Sequence, residues 1–144
     1  MDPITVSIDL VAPIDQVWAH LADLEQQHEW MGDIESLSFE TAQRSGAGTI
    51  MLVATKVGPL RLADRMEVTA WEPPTSMTVA HQGIVKGTGE FQLTAIGGAT
   101  RLTWTEELHF PWQLGGLLTA VASRPILATI WRHNLQRLKR LVER

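Results

Sequence analysis

Residues 4–18 read ITVSIDLVAPIDQVW, and this stretch changes from the pattern of a strand to that of a helix. Over 4–10, apolar residues alternate with polar ones, which is typical of a strand with one buried face. Pro13 then stands where the first turn of a helix tolerates a residue without a backbone N–H. Apolar residues follow at helical spacing, so we expect a helix over 13–24 and a second short helix ending near Trp30.

The middle of the chain reads as short strands separated by Gly- and Pro-containing turns. Tight turns can join only antiparallel neighbours, because parallel strands need long crossover connections. The pattern therefore predicts an antiparallel meander. Its strands are expected at 34–41, 48–57, 60–71, 76–82, 86–96 and 100–110.

A long helix is predicted over 113–143, with Pro125 expected to bend or break it because proline removes a backbone donor. Its apolar residues recur at three- and four-residue steps and form one stripe. The stripe comprises Leu114, Leu117, Val121, Ala128, Trp131, Leu135, Leu138 and Val142. The order of elements predicts an α+β fold, an antiparallel sheet with its helices gathered on one face.

The composition fits one self-sufficient domain over residues 1–144, since 44% of the residues are hydrophobic. The sequence has no cysteine, which excludes disulfides, thiolate metal sites and a cysteine nucleophile. It also has no tyrosine, which excludes phenol acid–base chemistry. Neither a targeting signal nor an apolar run long enough to span a membrane is visible, so a cytoplasmic location and no stable membrane insertion are expected.

Charge is distributed unevenly along the chain. Nine carboxylates and no Lys or Arg precede Arg44, whereas the last 21 residues carry six basic residues and one acidic residue. A basic helix face can bind nucleic acid or anionic lipid, but a solvated face near an acidic N-terminal region is the favoured interpretation. The net charge of −4 also argues against a nucleic-acid partner.

Several segments resemble the SRPBCC (START-like, helix-grip) superfamily, and within it the small bacterial polyketide cyclase/dehydrase-like and lipid-transport proteins. The resemblance spans nearly the whole chain and lies mainly in the order of the segments. These are Val11–Trp18 with Leu21–Asp23 and Trp30, Trp71–Pro74, Gly87–Leu93, Gly98–Trp104 and Asn134–Arg140.

The resemblance implies a curved seven-stranded sheet that grips the C-terminal helix, with two short helices after the first strand and an apolar cavity inside. Members of the superfamily carry lipids, bind hormones and pigments, cyclise polyketides or serve as domains of larger assemblies. A fold alone does not assign one of these activities.

Strand alternation places three polar side chains in otherwise apolar rows. Asp64 shares a face with Leu62 and Met66. His81 shares a face with Met77 and Val79, and Glu106 with Trp104 and Leu108. Such placements mark a ligand site, a satisfied polar network or a strand end that reaches water.

Asp64 and Glu106 are expected to point into the cavity and orient the polar end of a ligand. Burial without a cation would favour the protonated carboxyl group, which could donate a hydrogen bond to a ligand carbonyl. His81, on a neighbouring strand, could instead stabilise the charged form and make the pair part of a structural network.

Other site types lack sequence support. The five histidines show no metal-ligand spacing, and no serine lies in a nucleophile-elbow motif. Gly87 and Gly89 lie in a strand, where they allow curvature or close backbone approach rather than phosphate binding. Trp112 precedes the start of a helix that contains glycines. This segment could form the entrance of the cavity or touch a membrane, but packing in the core is the favoured interpretation.

The leading hypothesis is a binding protein for a hydrophobic small molecule, such as a lipid or polyketide-like compound, without a cofactor or metal and as a monomer or homodimer. A polyketide cyclase or dehydratase that uses Asp64, Glu106 or His81 is the alternative. The third hypothesis is a protein-interaction module. A solid core without a cavity would favour it. The residues expected to contact a ligand are Leu62, Asp64, Met66, Val79, His81, Trp104, Glu106, Leu117, Val121 and Trp131.

Overall fold

The computed structural model describes residues 3–58 and 60–144, except for the side chains of Leu60, Leu114, Leu117, Leu118, Ala120 and Val121. Two 3₁₀ helices, Leu24–Glu29 and Trp112–Leu114, accompany the regular elements. The strands are β1 (Ile4–Leu10), β2 (Ile34–Phe39), β3 (Ile50–Val57), β4 (Leu60–Glu72), β5 (Ser76–Gln82), β6 (Lys86–Ile96) and β7 (Ala99–His109). The α-helices are α1 (Ile14–Ala22) and α2 (Gly116–Val142).

The strands form one curved antiparallel sheet around α2. Its order is β1-β7-β6-β5-β4-β3-β2, so consecutive strands from β2 to β7 are neighbours and β1 joins the far edge beside β7. The predicted α+β class, the meander and the helix-grip architecture are confirmed.

The second half of α2 packs into a solid core. Leu135 and Leu138 are fully buried, together with Leu10 of β1, Leu21 of α1 and Leu102 of β7. Burial of apolar surface is the main force that holds α2 against the sheet.

Polar contacts fix the same half of α2 against the N-terminal segment. Asn134, 3% exposed, accepts a hydrogen bond from the backbone N–H of Gly32 at 3.0 Å and donates one to Asp33 at 2.9 Å. Glu143 accepts a hydrogen bond from the Val11 N–H at 2.7 Å. These contacts set the position of α2 along the sheet.

The basic residues of α2 lie mostly toward solvent. Arg132, Arg137 and Arg140 are exposed, and Lys139 forms an ion pair with Glu143 at 2.5 Å. Exposed basic side chains fit both interpretations of the charge pattern, so the choice of a solvated face stays a prediction.

The start of the long helix differs from its prediction. Gly115 has a left-handed backbone, with φ 91°, and it separates the short 3₁₀ helix from α2. Trp112 therefore lies outside the apolar stripe and is 83% exposed, so the expectation of core packing is wrong. Pro125 does not break α2, which continues through it. Two of the stripe residues that were expected to contact a ligand, Leu117 and Val121, have side chains outside the described part of the structure.

Candidate functional site: a cavity with a carboxylate–histidine–carboxylate network

A cavity of about 360 Å³ lies between the sheet and the first half of α2. Most of its described lining side chains are apolar, and Met51, Met77 and Phe91 are among them. Ile84 and Ile126 line the cavity while remaining 61% and 54% exposed. The cavity therefore opens to solvent between the β5–β6 turn and α2.

Three polar side chains from three strands meet on the cavity wall. His81 of β5 bonds Asp64 of β4 through Nδ1 and Glu106 of β7 through Nε2, each at 2.7 Å. The side chains of His81, Asp64 and Glu106 are 9%, 17% and 8% exposed. We call these three residues the acidic triad.

His81 carries its proton through neutral pH. Burial by itself lowers the histidine pKa, but the hydrogen bonds and negative charges of Asp64 and Glu106 outweigh it and raise the pKa to about 10. A protonated imidazole donates from both ring nitrogens, so both carboxylates act as acceptors. This geometry matches the network alternative from the sequence and not a carboxyl group that donates to a ligand carbonyl.

The remaining carboxylate oxygens also accept hydrogen bonds. The indole N–H of Trp104 donates to Glu106 Oε1 at 3.0 Å, and the backbone N–H of Gly83 donates to Asp64 Oδ1 at 2.9 Å. Trp104 stacks on Trp131 of α2, with ring centroids 5.3 Å apart. The triad is thus connected to the helix through an aromatic pair.

Glycine at position 89 allows His81 to reach Glu106. Strand β6 lies between β5 and β7, so the contact must pass over β6. Gly89 pairs with Glu106 in the register, and a Cβ built at Gly89 would lie 2.6 Å from Glu106 Oε1. A side chain at this position would occupy the space that the carboxylate uses. Gly83 makes room for Asp64 in the same way, since a Cβ there would lie 2.8 Å from Asp64 Oδ1.

The structure brings together the residues that the sequence singled out on the sheet and at mid-helix. The cavity wall includes Leu62, Asp64, Met66, Val79, His81, Trp104, Glu106 and Trp131. The side chains of Leu117 and Val121 are not described, so their predicted contact with a ligand stays a prediction.

Sequence reasoning missed several polar residues of the wall, among them Gln27 and Asp33. Gln27 is 7% exposed and lines the cavity. Asp33 also lines the cavity and accepts the Asn134 hydrogen bond. Both lie near the end of the 3₁₀ helix Leu24–Glu29, where no period-two pattern was available to assign them to a face.

The site has no arrangement typical of a metal centre within residues 3–58 and 60–144. In the described residues, no three His, Asp or Glu side chains converge in a way that could hold a metal ion. Both ring nitrogens of His81 are already bonded to carboxylates, so a metal would have to displace one of them. Among the same residues, no helix is long and apolar enough to cross a membrane.

Solved structures share this fold over nearly their whole length. A protein from Thermus thermophilus superposes with a TM-score of 0.80 at 20% identity, covering 98% of this chain and 97% of that one. The Zhui aromatase/cyclase of a Streptomyces species gives a TM-score of 0.73 at 16% identity, covering 99% and 94%. A START superfamily protein from Mycobacterium smegmatis gives 0.74 at 12% identity, covering 98% and 97%. At these identities the likeness concerns the fold.

Sequence comparison supplies the family. An uncharacterized protein of Mycobacterium tuberculosis is 27% identical over 142 residues, which cover 95% of this chain and 82% of the relative. Residues 1–143 match the family described as polyketide cyclase / dehydrase and lipid transport. The chain therefore belongs to the polyketide cyclase/dehydrase and lipid transport family, within the SRPBCC-type superfamily that its sequence resembles.

Proposed function

We propose that this protein binds a hydrophobic small molecule, such as a lipid or polyketide-like compound, in the cavity between the sheet and α2. The observation that carries the proposal is the cavity itself, about 360 Å³ with a mainly apolar wall. Cavities of roughly 300–1,000 Å³ with apolar walls and a few placed polar groups are typical of small-molecule sites. The family description, which combines cyclases and lipid transport, is consistent with such a ligand.

The network geometry favours binding over acid–base catalysis. A general acid or base works best when its pKa lies near the operating pH. The His81 pKa of about 10 lies well above neutrality, and both of its nitrogens are engaged. The polyketide cyclase or dehydratase alternative would require Asp64 or Glu106 to leave the network during a reaction. An interaction module, the third alternative, would not require an open cavity.

Native mass spectrometry of the gently purified protein tests the proposal. We expect a non-covalently bound apolar compound that is released unchanged on denaturation. In parallel, the neutral dye Nile red should bind the emptied protein saturably and gain fluorescence. A correctly folded protein that neither retains a compound nor binds the dye would contradict the proposal, whereas turnover of the released compound would favour the enzyme.

A further inference from the structure

All hydrogen-bond donors of the acidic triad are engaged, whereas its carboxylates retain acceptor positions. Both N–H groups of His81 donate to carboxylates, and the Trp104 N–H donates to Glu106. A carboxylate offers about four acceptor positions. Asp64 and Glu106 each receive two hydrogen bonds from the described residues, so acceptor capacity remains on both.

The cavity wall also carries an excess of negative charge. Four acidic residues line it, Asp33, Asp64, Glu90 and Glu106, and the protonated His81 supplies one positive charge. No Lys or Arg is among the lining residues in the described part of the chain. An anionic group inside the cavity would meet uncompensated carboxylates in a site largely shielded from water, which is unfavourable.

Gln27 adds a neutral polar side chain to the wall. The residue is 7% exposed and lines the cavity, and its amide can both donate and accept a hydrogen bond. The wall therefore has a neutral polar contact in addition to the triad.

We infer that the ligand is an apolar molecule whose polar end is a hydrogen-bond donor, a hydroxyl or amino group, held by the free acceptor positions of Asp64 and Glu106, and that carboxylates and phosphates are excluded. The inference rests on the proposed function, because it assigns a chemical class to the ligand of that cavity. Free fatty acids are then poor ligands, while alcohols, phenols and amines with an apolar body are preferred.

A set of naphthalene derivatives tests the inference, because the apolar body is constant and only the polar group changes. Naphthalene, naphthol, naphthylmethylamine and naphthoate are titrated against bound Nile red at neutral pH. One hydrogen bond to a charged group corresponds to about a tenfold gain in affinity, so naphthol or the amine should bind about tenfold tighter than naphthalene. Naphthoate should bind weakest of the four.

The variant Glu106→Gln removes one charge while keeping the shape of the side chain. We expect it to reduce the preference for the donor probes and to improve naphthoate binding, with naphthalene unchanged. Glu107→Gln is the matched control, because Glu107 is the exposed neighbour in the same strand and does not line the cavity. It should leave the order of the four probes as in the parent protein.

The possible failures are distinguishable. If Nile red and naphthalene do not bind the folded parent protein, the proposed function itself fails. If naphthalene binds but neither donor probe binds tighter, or naphthoate binds as well as naphthol, only the ligand class is overturned. Should Glu106→Gln not fold, the probe series on the parent protein decides alone.

Discussion

At position 89, the absence of a side chain determines whether the acidic triad can form. Gly89 lies directly under the Glu106 carboxylate, on the strand that separates Glu106 from His81. The side chain of Glu106 is flexible, so an added methyl group would displace the carboxylate rather than the backbone. Displacement leaves a buried charged donor on His81 without its second acceptor.

Gly89→Ala should therefore destabilise the protein through the lost hydrogen bond. We expect the free energy of unfolding to fall by about 1–3 kcal/mol, the usual cost of an unsatisfied buried polar group. Gly98→Ala is the control, because a Cβ at Gly98 would meet nothing within 4 Å. Urea unfolding of both variants measures the difference, and equal stabilities would contradict the role assigned to Gly89.

Protonation of His81 makes stability depend on pH in a defined direction. The pKa of His81 is raised from 6.5 to about 10 in the folded protein, so the folded state holds a proton that the unfolded chain releases. This contribution is fully present below about pH 6.5 and is lost as the pH rises through about 10. For one proton, the free energy of unfolding falls by at most about 1.4 kcal/mol per pH unit in this window.

Thermal unfolding between pH 6 and pH 10 tests this, with Glu106→Gln as the comparison, since that variant weakens the retention of the proton. The stability of Glu106→Gln should decrease less steeply with rising pH than that of the parent protein. The ¹⁵N chemical shifts of the His81 ring report the same property directly. A neutral His81 ring at pH 8 would be incompatible with the proposed charge state.

At the scale of elements, α2 combines a packed half with a half that covers a cavity. From Asn134 onward its inward residues are buried, whereas Ile126, Leu127 and Trp131 line the cavity. The two halves should therefore respond differently to substitution. Loss of a side chain from the packed half leaves a void that the surroundings cannot fill, while the other half already adjoins open space.

Leu135→Ala should lower the free energy of unfolding by about 2–5 kcal/mol, because Leu135 is 1% exposed in the packed half. Gln136→Ala, at the next and exposed position, should change it by less than about 0.5 kcal/mol. Chemical denaturation of both variants provides the measurement. A Leu135→Ala protein as stable as Gln136→Ala would mean that α2 does not pack as described.

Much of the element order could be predicted because it depends on local patterns. Alternating apolar residues and Gly or Pro turns identify the strands, and face alternation alone placed Asp64, His81 and Glu106 on the side that faces the cavity. The start of α2 was misplaced because the left-handed backbone of Gly115 ends one helix before the next begins.

The contact between His81 and Glu106 could not be predicted in the same way. It depends on the register of β5, β6 and β7 together, which is a property of the sheet and not of any one strand. A signal was nevertheless present in β6, where Gly87 and Gly89 continue the row of the buried residues Phe91 and Leu93. Missing side chains in an inward row leave space that side chains of neighbouring strands can occupy.

At the scale of the whole molecule, a curved sheet and a helix that covers it create an interior with a packed part and a cavity. The packed part supplies the stability, and the cavity can accept a ligand without repacking of the core. A ligand that binds only the folded state stabilises the protein by mass action, by about 2.7 kcal/mol at a free concentration one hundred times its Kd. Ligand binding should therefore raise the Tm by several degrees.

Filling the cavity from the sheet side should abolish this stabilisation. Val79 is half-buried and lines the cavity, so the indole of Val79→Trp would occupy ligand space without entering the packed half. We expect the variant to remain folded but to lose saturable Nile red binding and the ligand-induced rise in Tm. Val11→Trp introduces the same side chain at a position that is 73% exposed and outside the cavity, and it should retain both. Full dye binding by Val79→Trp would place the ligand site elsewhere on the protein, because the cavity cannot hold both the indole and the dye.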